Sequence, residues 1–168
     1  TLAILESTPQ SLIVELRIDQ IEWQLLAEKG QNGEALYQVQ IPQMVQTMNT
    51  NGPPLPTVGA WFGVSSTNDV AVELIDYATE VKSAVHLAYT QQTIEPATLP
   101  FTGVISSPNV KLAVEEPIDQ FQPAQAVTLG SVGYLRDQAV AQLQFYPVQY
   151  NALRAEVLIY PRMKVKLS

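Results

Sequence analysis

Apolar and polar residues alternate with a period of two along much of this chain, and the 3.6-residue period of an amphipathic helix hardly appears. Leu12, Val14, Leu16 and Ile18 alternate with Ile13, Glu15, Arg17 and Asp19, which predicts a half-buried strand running on towards Trp23. Tyr37, Val39 and Ile41 share a face opposite Gln38 and Gln40. Val70, Val72 and Leu74 alternate with Ala71, Glu73 and Ile75. Val81, Ser83, Val85 and Leu87 alternate with Lys82, Ala84, His86 and Ala88, so residues 81–88 read as one strand. Leu143 and Phe145 face away from Gln142 and Gln144. Successive strand side chains point to opposite sides, so each run offers one apolar face to a core. That core is expected to hold Trp61, Val72, Leu74, Val85, Leu143, Phe145, Val157 and Ile159.

The chain ends in a hairpin pattern. Tyr150-Asn151-Ala152-Leu153 supplies a turn between strands over residues 142–148 and 155–160. Beyond Pro161, Met163, Val165 and Leu167 face one way and Arg162, Lys164 and Lys166 the other, a basic stripe of the kind that keeps an edge strand soluble. Short strands every ~8–12 residues, with Pro- and Gly-marked turns, define an all-β class and an antiparallel β-sandwich. One or two short helices fit in its loops. The twelve prolines agree, because proline sits at element edges and disfavours long helices. No boundary or repeat divides residues 1–168, which read as a single domain. Regular structure is weakest over residues 91–122, with Pro96, Pro100, Pro108, Pro117 and the Ser106-Ser107 pair. A loop of that length is uncommon in a small domain and often functional.

Composition narrows the chemistry. The 168 residues carry 16 acidic and 9 basic side chains, a formal charge of −7, which argues against nucleic acid as a partner. Without cysteine there is no disulfide, thiol nucleophile or thiolate metal ligand, and a single histidine, His86, rules out a multi-histidine metal site. Near Thr1 no basic segment followed by an apolar one marks a signal peptide, which still fits a mature or excised piece of a secreted protein. Residues 35–68 carry no formal charge, but four prolines and many amides interrupt them, so no membrane span is expected.

His86 sits in a strand pattern without the base and orienting partner that catalysis needs, and reads as an ordinary strand histidine. Glu115, Glu116 and Asp119 form an acidic loop cluster without calcium-loop spacing, which reads as solvated. Trp23, Trp61 and the tyrosines suit either a sugar-stacking platform or, more commonly for aromatics in alternation, the core. Gly130-Ser131-Val132-Gly133 lacks the Lys-Ser/Thr pair of a phosphate loop. No catalytic, cofactor-binding or metal-binding residue is assigned, and no cofactor is expected.

Two stretches carry a family likeness. One is Gly52-Pro53-Pro54-Leu55-Pro56-Thr57-Val58, followed by Val64-Ser65. The stronger runs from Phe121-Gln122-Pro123-Ala124 through Gly133-Tyr134-Leu135-Arg136-Asp137 and Phe145-Tyr146-Pro147-Val148-Gln149-Tyr150-Asn151 to Val157-Leu158-Ile159-Tyr160. The succession resembles the N-terminal propeptide of gingipain-type cysteine peptidases, whose catalytic domain is caspase-like. Physically, Pro147 ends a strand by removing a ladder donor, Asn151 suits a left-handed turn position, and Arg136 and Asp137 are placed for a local ion pair.

The resemblance implies a jelly-roll-like β-sandwich that is not an enzyme. It implies a propeptide that covers the active-site cleft of a secreted or cell-surface cysteine endopeptidase, keeps it latent and assists its folding. Its partner would be that peptidase domain, lying outside this chain. In Arg-specific members a sandwich loop sends a basic side chain into the S1 pocket. The corresponding stretch here is residues 91–122, where Lys111 is the sole basic residue, so Lys111 with Asn109, Val110 and Leu112 is the candidate protease-contacting loop. The alternative is a lectin-like carbohydrate-binding or surface-adhesion sandwich, and burial of both tryptophans would remove its best platform.

Overall fold

Twelve strands and no helix make up the described part of the chain, residues 1–47, 52–89 and 118–168 of a computed structural model. In order they are β1 (Leu2–Ser7), β2 (Leu12–Arg17), β3 (Glu22–Lys29), β4 (Ala35–Gln40), β5 (Val45–Gln46) and β6 (Pro56–Gly63). There follow β7 (Val72–Lys82), β8 (His86–Leu87), β9 (Val127–Leu135), β10 (Gln138–Phe145), β11 (Val148–Asn151) and β12 (Glu156–Leu167). A five-stranded sheet runs β1-β2-β12-β11 with β7 on the other side of β12; a four-stranded sheet runs β5-β6-β10-β9; β3, β4 and β8 form a third. Among the described residues, β4–β8 is the only parallel strand pairing.

Two cores sit between these sheets, and alternation decides which residues enter them. The first joins Leu12, Val14 and Leu16 of β2 with Met163, Val165 and Leu167 of β12, and sets them against Phe62 of β6 and Ala141, Leu143 and Phe145 of β10. The second joins Val148 and Tyr150 of β11 with Val157 and Ile159 of β12, and sets them against Val39, Ile41, Leu55 and Leu87. Strand β12 therefore feeds one core with its first half and the other with its second. Burying each of the Val, Leu, Ile, Phe and Met side chains among them contributes about 1.5–3 kcal/mol. Between β10 and β11 the chain crosses from one sheet to another at Tyr146-Pro147. There the Tyr146 amide donates to Ala126 O at 2.7 Å and the Tyr160 amide to Pro147 O at 2.8 Å.

The antiparallel sandwich follows the sequence reading, and Leu143, Phe145, Val157 and Ile159 are fully buried, while Val72, Leu74 and Val85 pack at the core margins. Several details differ. Trp61 is not a core residue: it is 55% exposed, because on β6 the inward face belongs to Val58, Ala60 and Phe62. Residues 81–88 are not one strand. β7 stops at Lys82, Ala84 turns the backbone left-handed at φ 56°, and β8 restarts at His86 in another sheet.

The basic stripe is not on an edge. β12 is paired on both sides, and Arg162 donates to Asp76 of β7 at 2.7 Å and lies 3.7 Å from Glu15 of β2. Glu15 is only 4% exposed and accepts from Arg17 at 2.6 Å, a bond that, with the surrounding cations, holds its carboxyl below the usual range. The left-handed turn position after β11 belongs to Ala155, not Asn151, and Arg136 takes a second one between β9 and β10 at φ 55° without an ion pair to Asp137.

Candidate functional site

The predicted contact residues Asn109, Val110, Lys111 and Leu112 lie outside the described residues, as do Glu115 and Glu116. What the structure does place is the two ends from which that segment departs. One is β8 with Ala88 and Tyr89; the other is the stretch from Ile118 to Gln122.

Both ends are tied to Tyr150. On one side the Leu87 amide donates to the Tyr150 hydroxyl at 3.3 Å. On the other the Gln122 amide donates to Tyr150 O, and the Tyr150 amide to Gln122 O, each at 2.9 Å. The Ala88 amide donates to Tyr37 O at 3.0 Å, fixing the first end to β4 as well. The Gln122-Pro123 peptide bond is cis. Burial pushes the Tyr150 phenol above its ordinary pKa, so it stays neutral and available as an acceptor.

Asp119 is held one residue further along β11. Asn151 donates to its Oδ1 at 2.8 Å, and Arg154 closes a fork with Nε to Oδ1 at 2.6 Å and Nη2 to Oδ2 at 2.8 Å. Asn151 Oδ1 accepts the Arg154 amide at 3.1 Å, so one side chain both closes the β11–β12 turn and grips the incoming end. The Asp119 carboxylate is thus engaged by protein donors on both oxygens.

Arg154 first, and Asn151 second, hold the Asp119 carboxyl below its ordinary value of 3.8. A carboxyl lowered on folding stabilises the folded state above its unfolded pKa, and that contribution is lost as pH falls through the folded value. A carbon-detected NMR titration of Asp119 is therefore expected to show a midpoint below 3.8 that moves upward in Arg154→Ala, where the Asn151 bond remains. An unchanged midpoint would separate the two residues.

Neither sequence-level chemistry centre becomes a catalytic one. His86 is half-buried on β8, with no carboxylate bonded to it among the described residues. Trp23 is half-buried beside Tyr37, Lys82 and Val85, with Lys82 Nζ 5.4 Å from its ring centroid. The tether on Tyr150 was invisible in the sequence. The Pro147–Asn151 motif signals a turn, but Leu87 lies 63 positions away, and strand alternation carries no information on that pairing.

The described residues on either side of residues 90–117 are thus both bonded to Tyr150 of one strand of an all-β sandwich. The model of the Propeptide_C25 family matches residues 1–168, and the chain belongs to that family. It is a propeptide of gingipain-type peptidases, a non-catalytic region of a peptidase precursor. Two curated relatives, both gingipain R1 of Porphyromonas gingivalis and one from strain ATCC 33277, are 27% identical over 175 residues. Each match covers 98% of this chain, which spans only 16% and 9% of those proteins.

Two solved structures share the fold. The complex of Porphyromonas gingivalis RgpB pro- and mature domains matches with a TM-score of 0.77 at 22% identity, over 99% of this chain and 84% of that one. A structure addressing zymogenic latency of gingipain K from the same organism matches with a TM-score of 0.66 at 16% identity, over 100% of this chain and 91% of that one.

Proposed function

We propose that residues 1–168 act as one propeptide domain that keeps the cysteine peptidase of its own precursor latent by covering the active-site cleft, and that assists the folding of that peptidase. The family match over the whole chain carries this reading. It is supported by the likeness to a prodomain found in complex with its mature domain. The convergence of both segment ends on Tyr150 adds a physical reason, because a segment with fixed ends reaches a cleft at lower entropic cost. The catalytic domain lies outside this chain, and the working place of the pair is secreted or at the cell surface, as the gingipain relationship suggests.

The mechanism is steric. The sandwich docks over a surface of standard size, ~1,200–2,000 Å², with a few side chains supplying most of the energy. Lys111, flanked by Asn109, Val110 and Leu112, enters the S1 pocket in a pose that is not cleaved. A pocket that accepts a basic side chain carries an acidic group at its base, as in trypsin-like specificity. Truncating one member of such a desolvated pair costs about 2–5 kcal/mol.

The test is inhibition of the mature domain by the chain added in trans. Wild type is expected to inhibit, and Lys111→Ala to inhibit about 30-fold less well or worse, at 1.4 kcal/mol per decade. Equal inhibition by the two would remove Lys111 from the pocket. A wild-type chain that neither binds nor inhibits would overturn the function.

A further inference from the structure

The four strands β5, β6, β10 and β9 carry no Asp, Glu, Lys, Arg or His, on a chain of which 15% is charged. One face of this sheet fills the first core. The other is open to water and has an unusual make-up. Trp61 stands 55% exposed on β6, with Gly59 and Gly63 as its same-face neighbours and Gln142 of β10 opposite. Beyond β10, Gly130 and Gly133 of β9 leave that side bare as well: a Cβ at Gly133 would meet nothing within 4 Å.

The glutamines of β10 lie down on this glycine floor. A Cβ at Gly59 would come within 2.6 Å of Gln144 Oε1 and 3.3 Å of Gln142 Nε2, and one at Gly130 within 2.9 Å of Gln142 Oε1. Gln144 Nε2 is spent on Thr57 Oγ1 at 2.5 Å, and Gln138 Nε2 on Val64 O at 3.0 Å and Ala139 O at 2.9 Å. Among the described residues nothing engages the amide of Gln142, so a free donor and a free acceptor lie flat beside an exposed indole.

A water-facing sheet face is ordinarily kept solvated by charged side chains. This one has an indole, amides and bare backbone at its centre, with the exposed side chains of Val45 and Leu135 at opposite corners, and that centre suits a ligand that is uncharged, flat and hydroxylated. We infer that the outer face of the β5-β6-β10-β9 sheet is a binding platform for a neutral carbohydrate. Trp61 stacks on the C–H face of a pyranose ring, and Gln142 donates to one hydroxyl and accepts from its neighbour. A protein occupant would call for several apolar anchors at the centre of the face, whereas there the indole stands among glycines and amides, and Val45 and Leu135 lie level with Thr57 and Gln138, four residues along the strands from the Trp61–Gln142 pair. The inference is independent of zymogen latency and concerns a different surface from the Tyr150 tether.

The test is native-gel affinity electrophoresis of the full chain through mannan, dextran and galactan, with Trp61→Ala, Gln142→Ala and Trp23→Phe alongside and circular dichroism to confirm folding. Wild type and Trp23→Phe are expected to be retarded by at least one polysaccharide. Trp61→Ala should lose about tenfold or more in affinity, and Gln142→Ala should fall in between. No retardation of wild type in any gel, or equal retardation of Trp61→Ala, would overturn the platform. So would loss of mature-domain binding in Trp61→Ala with no polysaccharide effect, which would make the face a protein interface.

Discussion

Phe145→Ala is expected to lower the unfolding free energy by about 3–5 kcal/mol, and Trp61→Ala to leave it within about 0.5 kcal/mol. The two positions lie in adjacent, directly paired strands, yet they face opposite ways. Phe145 is fully buried, paired with Val58 on one side and Val127 on the other, and packed against the second half of β12 across the sandwich. Truncation forfeits the transfer energy of the ring and leaves a cavity that two sheets, each held by its own ladder, close only partly. The indole of Trp61 is in water already, so its removal opens no void. Urea unfolding at unchanged m-value measures both. A Trp61→Ala loss as large as that of Phe145→Ala would return Trp61 to the core and remove the carbohydrate platform with it.

The contrast shows what alternation can and cannot convey. It gives the faces of β2, β10 and β12 directly, because Leu143-Phe145 and Met163-Val165-Leu167 alternate with polar residues throughout and Leu12-Val14-Leu16 alternate with Glu15 and Arg17 after Ile13. It fails for β6, where Trp61 alternates with Phe62 and Ala60 and either set reads as the apolar face; only the glycines at 59 and 63 hint that the Trp61 side has nothing packed on it. It fails again over residues 81–88, where a strict alternation is cut by a left-handed backbone at Ala84, a residue with no turn signal. The central place of β12 is also hidden. A Lys/Arg stripe looks the same on an edge as between β2 and β7, until the carboxylates that meet it, Glu15 and Asp76, are placed by pairing across distant sequence. For the site the gap is wider: turn chemistry marks Tyr150 and Asn151 as structural, and their grip on Leu87, Asp119 and Gln122 arises only from sheet assembly.

Tyr150 therefore offers the sharpest separation of stability from positioning. Tyr150→Ala removes a buried ring from the second core and is expected to cost about 3–5 kcal/mol. Tyr150→Phe keeps the ring and both main-chain bonds to Gln122, and deletes only the hydroxyl that accepts from Leu87. It leaves a buried amide without its partner, at a cost of about 1–3 kcal/mol. Hydrogen exchange should then quicken at Leu87 while Gln122, held by backbone, keeps its protection. Were the second end to loosen equally, the effect would be global destabilisation rather than release of one tether. If the fixed ends matter for latency, Tyr150→Phe should also inhibit the mature domain less well than wild type at a temperature where both are fully folded. Inhibition equal to wild type, with Leu87 exchange quickened, would show that the tether serves the fold alone.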